Sequence, residues 1–258
     1  MMSLFWKTIG TGNRNLVLLH GWGLNAEVWS CVVPQLAPHF RLHLVDLPGY
    51  GRSRGYGAMT IKHMAAEIKS RVPVRSALWL GWSLGGLVAT EVAYWWPNAV
   101  EGLITVASSP CFCANKNWPG IKSEVLSGFA YGLRENFSCT IRSFLSLQTM
   151  GGETSRQDAR WLETVVLAQP TPTIEVLTGG LALLRASDLR SVLRRLQVPL
   201  LRMYGYLDGL VPRKVIPLVD VLSPISQCIV FPTGAHAPFI SHPLHFCQVL
   251  CNFSQTVI

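Results

Sequence analysis

Charge is scarce in this sequence: Asp, Glu, Lys and Arg together make up 14% of 258 residues. Long apolar runs are missing as well. None approaches the roughly 18 residues that a membrane-crossing helix needs, so no membrane partner is expected. The first residues, Met1-Met2-Ser3-Leu4-Phe5-Trp6-Lys7, place no basic segment ahead of a long apolar stretch, which argues against a signal peptide. The seven cysteines are odd in number and scattered, so they read as reduced thiols in a cytoplasmic protein. Cys111 and Cys113 lack the second pair that a zinc site requires, and no metal is expected. Basic residues exceed acidic ones, 22 to 14, for a net charge of +8. They form no dense run: Arg52, Arg54, Arg71, Arg75, Arg194 and Arg195 stand singly or in pairs, the pattern of a solvated surface. Nucleic acid is not an expected partner.

What is abundant is core material. With 49% hydrophobic residues, the chain can fill one large α/β domain. Its organising stretch is Gly81-Trp82-Ser83-Leu84-Gly85-Gly86, with the apolar run Ala77–Leu80 before it and a helical pattern, Leu87–Trp95, after it. Strand, tight turn and helix follow one another, with a serine at the apex. So sharp a turn leaves no room for neighbouring side chains, hence glycine on both sides. The serine hydroxyl would stand clear of the backbone, and the helix N-terminus behind it favours developing negative charge. Taken alone, Ser83 could equally be a helix N-cap in a glycine-rich turn.

The rest of the chain alternates strands and helices, which specifies a mostly parallel sheet with right-handed crossovers. Residues 4–9 suggest an edge strand, and Leu16–Leu19 a strand buried on both faces. It runs into His20-Gly21-Trp22-Gly23, a turn at the carboxyl end of a central strand, where open α/β sheets place ligand contacts. A helix is expected over 26–36, a strand over 41–45, then the loop Asp46-Leu47-Pro48-Gly49-Tyr50-Gly51-Arg52-Ser53 and a helix over 60–71. The strand after the elbow helix is 102–107. From Pro110 to Asp188 the alternation stops, leaving helical patches at 121–134, 136–149 and 153–168. Strands at 198–204 and 227–231 and helices at 212–221 and 243–253 complete the pattern. The expected organisation is a core of residues 1–110 and 189–258 with a helical cap, 111–188, inserted after the sixth strand.

Three side chains then take on a common meaning. Ser83, Asp208 and His236 each follow an expected strand, in the chain order of an α/β-hydrolase triad. A serine hydroxyl is a poor nucleophile until a base removes its proton. An imidazole can do this near neutral pH, and a carboxylate can fix its tautomer. The backbone N–H groups of Trp22 and Leu84 would form the oxyanion hole. Asp208 alone could be a turn aspartate and His236 alone a buried structural histidine; order and placement favour the triad. His20, His242 and His245 fit it less well, and an aspartate nucleophile is excluded by Ser83 at the elbow.

The segments H-G-W-G, D-L-P-G-Y-G-R-S, G-W-S-L-G-G, Y-G-Y-L-D-G-L-V-P and G-A-H-A-P-F-I-S-H-P, with 108–112 and 147–151 of the cap, run through nearly the whole chain. In these the chain resembles the pimeloyl-[acyl-carrier protein] methyl ester carboxylesterases of bacterial biotin synthesis. The resemblance implies a monomeric cytoplasmic serine esterase with no cofactor, acting on the methyl ester of a pimeloyl acyl carrier protein. It implies substrate contacts at Trp22, Ser83, Leu84, Phe144, Leu145, Ser146, Leu147, Gln148 and His236. It also implies carrier contacts at Arg156 and Arg160. The family's two other arginines are Cys139 and Ser143 here, with Arg142 beside them. The residues themselves say less about the carrier. Positions 111–190 hold eight basic and seven acidic side chains, and Glu153 and Glu163 flank the arginine pair. Two alternatives stay open: an esterase or thioesterase of small free esters, and a silent hydrolase fold that only binds.

Overall fold

A computed structural model describes residues 2–257. Seven strands form one sheet: β1 (Trp6–Ile9), β2 (Arg14–Leu19), β3 (Phe40–Val45), β4 (Ala77–Trp82), β5 (Val100–Val106), β6 (Leu200–Gly205) and β7 (Gln227–Phe231). Their spatial order is β1-β3-β2-β4-β5-β6-β7. Only β1 runs antiparallel to its neighbour. The central strands are continuous apolar runs because helices cover both faces; every residue of β4 and β6 is buried.

The register puts the chemistry at one edge. Leu19 lies opposite Val45 and Gly81, and Trp82 opposite Val106. Gly205 lies opposite Phe231. The strands therefore end level, and the loops that follow β2, β3, β4, β6 and β7 emerge side by side.

The helices differ from sequence expectation in informative places. The single helix expected over 26–36 is a 3₁₀ turn, Ala26–Trp29, followed by a short helix α1 (Val33–Leu36). Pro34 has no N–H to continue a helix and starts a new one instead. Helix α2 (Ile61–Arg71) is capped by Thr60, whose hydroxyl accepts from the His63 amide. Helix α3 (Leu84–Trp95) begins immediately after Ser83, three residues before the expected start.

The insertion contains α4 (Ser123–Glu135), α5 (Phe137–Leu147), α6 (Ser155–Leu167) and α7 (Ile174–Ala186). It follows the fifth strand of this sheet, not a sixth. The fourth helix, α7, was hidden in the sequence by Pro170 and Pro172 before it and by Gly179-Gly180 within it, both unfavourable helix signals. The glycines are needed for contact. A Cβ at Gly180 would stand 2.4 Å from Trp22 Cδ1 and from the Tyr50 hydroxyl, and one at Gly179 2.7 Å from Ala58 Cβ. Helix propensity has yielded to close approach between α7 and the loops after β2 and β3. A short α8 (Arg190–Leu193) returns the chain to the sheet. The helix expected over 212–221 is a 3₁₀ turn, Arg213–Val215, leading into α9 (Ile216–Leu222). Two proline-initiated helices, α10 (Pro238–Ser241) and α11 (Pro243–Thr256), end the chain. Among the described residues no helix is long and apolar enough to cross a membrane.

Candidate active site

Ser83 occupies φ +56°, ψ −117°, a conformation that a residue with a Cβ avoids and that costs about 1–3 kcal/mol. The flanking glycines make it possible. A Cβ at Gly81 would stand 2.1 Å from the Gly85 oxygen, and one at Gly85 2.5 Å from the oxygens of Leu19 and His20. Hydrogen bonds hold the elbow in place. The Ser83 amide donates to Val106 O at 2.9 Å. Its carbonyl accepts from the Gly86 amide at 2.9 Å and from the Ser108 hydroxyl at 2.9 Å. The side chain thus points from a fixed backbone at the start of α3.

His236 and Asp208 meet directly. His236 Nδ1 lies 2.8 Å from Asp208 Oδ2, and both side chains are completely buried. A carboxylate only accepts, so Nδ1 carries the proton of the neutral ring and Nε2 its free lone pair. The other carboxylate oxygen, Oδ1, accepts from the Leu210 and Val211 amides at 2.8 and 2.9 Å. The aspartate is therefore clamped by its own loop before it orients the imidazole. His236 Nε2 is buried and has no hydrogen-bond partner, so the link to the Ser83 hydroxyl is not closed in this state. A buried polar atom without a partner is costly unless something transient uses it. Trp82, the residue before Ser83, braces the same histidine: its Nε1 donates to His236 O at 2.8 Å. Trp82 also lies against the His236 ring, centroids 5.9 Å apart, and packs edge-on against Trp29 and Phe239.

The other expected site residues are distributed unevenly. The amides of Trp22 and Leu84 donate to no protein acceptor among the described residues, which leaves both free for a ligand oxygen. The Trp22 indole donates to Leu177 O on α7 at 2.8 Å and packs edge-on against Phe144 of α5, ring centroids 4.4 Å apart. One residue thereby ties the loop after β2 to two helices of the insertion. The run 144–148 does not face the site as a block. Phe144, Leu145 and Gln148 are buried and Leu147 is half-buried. Ser146 is exposed, and its hydroxyl is taken up by Arg142 O at 3.0 Å. A helix turns each successive residue by about 100°, so five consecutive residues cannot share one face. Gln148 folds its amide back onto Phe144 O at 3.0 Å. The three candidate carrier-binding arginines also differ: Arg156 and Arg160 are exposed, whereas Arg142 is exposed but paired with Glu163 at 2.6 Å.

Two supports were not read from the sequence. His20 is fully buried; its Nδ1–H donates to Gly21 O at 2.8 Å, and its Nε2 accepts from the Leu47 amide at 2.9 Å. It thus pins the loop bearing the Trp22 amide to the loop after β3. Burial pushes its imidazole down to about 4; Asp46 opposes that shift and Arg52 adds to it. Asp46 is the second support. It accepts from the Ala26 amide at 2.7 Å, and from the Arg52 amide and guanidinium at 2.8 Å each. The signal for both was the unexplained polar residues in H-G-W-G and D-L-P-G-Y-G-R-S, which stand at strand ends that must bury them. Among the described residues, no three His, Cys, Asp or Glu side chains converge as a metal site.

An imidazole nitrogen without a partner, oriented by a buried aspartate, thus lies at the same sheet edge as a strained serine at a strand-to-helix elbow. The chain belongs to the alpha/beta hydrolase fold family, which it matches over residues 14–243. Within that fold it is 70% identical, over 255 residues and 99% of both chains, to the pimeloyl-[acyl-carrier protein] methyl ester esterase of Sodalis glossinidius. It is 57% identical over the full length of both chains to the protein of the same name from Salmonella typhimurium. Among solved structures it is similar in fold to an esterase from Exiguobacterium antarcticum, with a TM-score of 0.90 at 21% identity, covering 98% of this chain and 96% of that one.

Proposed function

We propose that the chain is a serine carboxylesterase that hydrolyses the methyl ester of a pimeloyl acyl carrier protein, releasing methanol and the free distal carboxylate in biotin synthesis. The chemistry rests on one observation: His236, held by Asp208 at Nδ1, presents a buried and unpartnered Nε2. The choice of substrate is supported by the 70% identity to the Sodalis esterase.

In this reading Ser83 Oγ attacks the ester carbonyl carbon as its proton passes to His236 Nε2. The tetrahedral oxygen is held by the Trp22 and Leu84 amides, a lost donor of this kind costing about 3 kcal/mol of transition-state stabilisation. Collapse breaks the carbon–methoxy bond, and His236 returns the proton to the departing methoxide. Water, deprotonated by the same nitrogen, then cleaves the acyl-serine and restores the hydroxyl. Asp208 orients the ring and stabilises the imidazolium throughout. The strain at Ser83 keeps the hydroxyl in place without reorganisation.

Residues 111–188 act as the cap. Trp22 packs between α5 and α7, and Asn25 donates to Val166 O of α6 at 3.0 Å, so the acyl chain would lie beneath three cap helices and away from water. Phe144 and Leu145 supply apolar wall. A cytoplasmic setting agrees with seven free cysteines. A fluorophosphonate probe tests the chemistry: it should label Ser83 in the native chain and nothing in Ser83→Ala. Labelling at another serine would overturn the assignment.

A further inference from the structure

The turn between α5 and α6 leans on the core beside the loop that carries Asp208. Thr149 Oγ1 donates to Ser155 O at 2.9 Å and closes the turn, and Gly151 takes φ +101°. A Cβ at Gly151 would stand 3.3 Å from Leu207 Cβ, and one at Gly152 3.7 Å from Thr233 O. Met150, next to Gly151, and Tyr206 and Leu207 of the apposed loop are three large apolar side chains that remain 57%, 46% and 39% exposed. Single exposed hydrophobics are unremarkable, but three on two apposed segments beside the Asp208 loop mark an interaction surface.

The flank of this ridge is basic. The Arg213 guanidinium lies 4.0 Å over the Tyr206 ring, and Lys214 follows it. Arg156 stands one residue into α6, beyond the closed turn. All three are exposed, and among the described residues none forms an ion pair. Glu153 is the one exposed acid within the turn. Arg142, by contrast, already spends its charge on Glu163.

We propose that Met150, Tyr206 and Leu207, flanked by Arg156, Arg213 and Lys214, dock an acidic amphipathic helix of the carrier protein. The core loop after β6 then recognises the carrier together with the insertion. This rests on the carrier-linked ester being the substrate. Charge complementarity selects the occupant: three unpaired cations around an apolar ridge fit a helix with acidic and apolar residues on one face. Stacking on Tyr206 holds the Arg213 fork in place before binding, which lowers the ordering cost. The ridge ends one residue before Asp208, so a carrier seated there holds its tethered ester at the edge where the triad lies.

The test compares Arg213→Glu/Lys214→Glu with wild type on the carrier-linked methyl ester and on p-nitrophenyl acetate. At about 50 mM salt, kcat/KM on the carrier substrate should fall roughly tenfold, mostly through KM, and the gap should narrow as salt is raised. Turnover of p-nitrophenyl acetate should not change. Met150→Ser should also impair carrier use, but with weaker salt dependence, since it removes apolar contact and leaves the charge unchanged. The control is Arg134→Glu/Arg185→Glu, the same charge change in a separate groove of about 260 Å³ between α4 and α7. It should leave carrier use within about twofold of wild type. An equal loss in the control would overturn the surface in favour of net charge alone. No loss in Arg213→Glu/Lys214→Glu, with a loss in Arg156→Glu/Arg160→Glu, would overturn the core's share while leaving the substrate reading intact. Equal losses on both esters would mean a structural role. A wild type indifferent to the carrier would overturn the substrate reading itself.

Discussion

Ser83 and Arg156 stand at opposite ends of constraint in this molecule. Around Ser83, strand ends, two obligatory glycines, the Ser108 hydroxyl and the Trp82–His236 bond leave almost no freedom. Arg156 is exposed on α6, and among the described residues no hydrogen bond or ion pair fixes its side chain. The buried edge holds geometry, which bond making and breaking require to within fractions of an ångström. The outer face holds charge, which acts over several ångströms and tolerates rearrangement. In the proposed reading, substitutions on that outer face, such as Cys139 and Ser143, leave the geometry of the buried edge untouched.

If that contrast is right, the largest effects belong to the edge. Ser83→Ala should lose roughly 10⁴–10⁶ in kcat while folding normally, and adding His236→Ala should cost little more, because the two act as one unit. Additive losses in a kinetic cycle would separate their roles. Next in size is the seam between edge and insertion. Gly180→Val places methyl carbons against Trp22 and Tyr50, and it should destabilise the fold by about 1–3 kcal/mol. In the proposed mechanism, displacing Trp22 also moves the amide assigned to the oxyanion, so kcat should fall about 10- to 100-fold on every ester, free or carrier-linked. A loss confined to carrier substrate would place Gly180 with the docking face instead.

His20 offers a pH test of how firmly the edge is held. Its folded value of about 4 lies below the 6.5 of an unperturbed imidazole. The unfolded chain therefore binds the proton more tightly. The stabilisation is complete above pH 6.5 and is lost as pH falls from 6.5 through 4, about 3 kcal/mol in all from this group. Denaturant melts of wild type and His20→Asn across that window should show a shallower slope in the variant. Parallel slopes would assign the acid sensitivity elsewhere. The smallest effect belongs to the outer face: Arg156→Glu/Arg160→Glu should reduce carrier use about tenfold at low salt and leave p-nitrophenyl acetate turnover unchanged.

The same contrast explains what could be read from the sequence. Ser83, Asp208 and His236 were legible because each follows a strand, and strand ends in a parallel sheet lie together whatever the details. The elbow glycines were legible because sterics admits nothing else. Helix α7 was not, since its two glycines serve a contact with Trp22 and Ala58 that only the folded chain contains. His20 looked like a weaker rival for the triad until its two hydrogen bonds showed that both ring nitrogens are already engaged. The different exposures of Ser146 and its neighbours in the run 144–148 were not legible, because they depend on how α5 packs. The ridge at Met150 and Leu207 joins residues more than fifty positions apart, and neither stretch carries a motif for it.

The ratio of kcat/KM for the carrier-linked methyl ester to that for free dimethyl pimelate, followed across salt concentration, tests the division of labour between edge and face most directly. The expected ratio is about 100 or more at low salt and shrinks steadily as salt rises, while the free-ester rate stays level. A ratio near one at low salt, or two rates that fall together with salt, would contradict it.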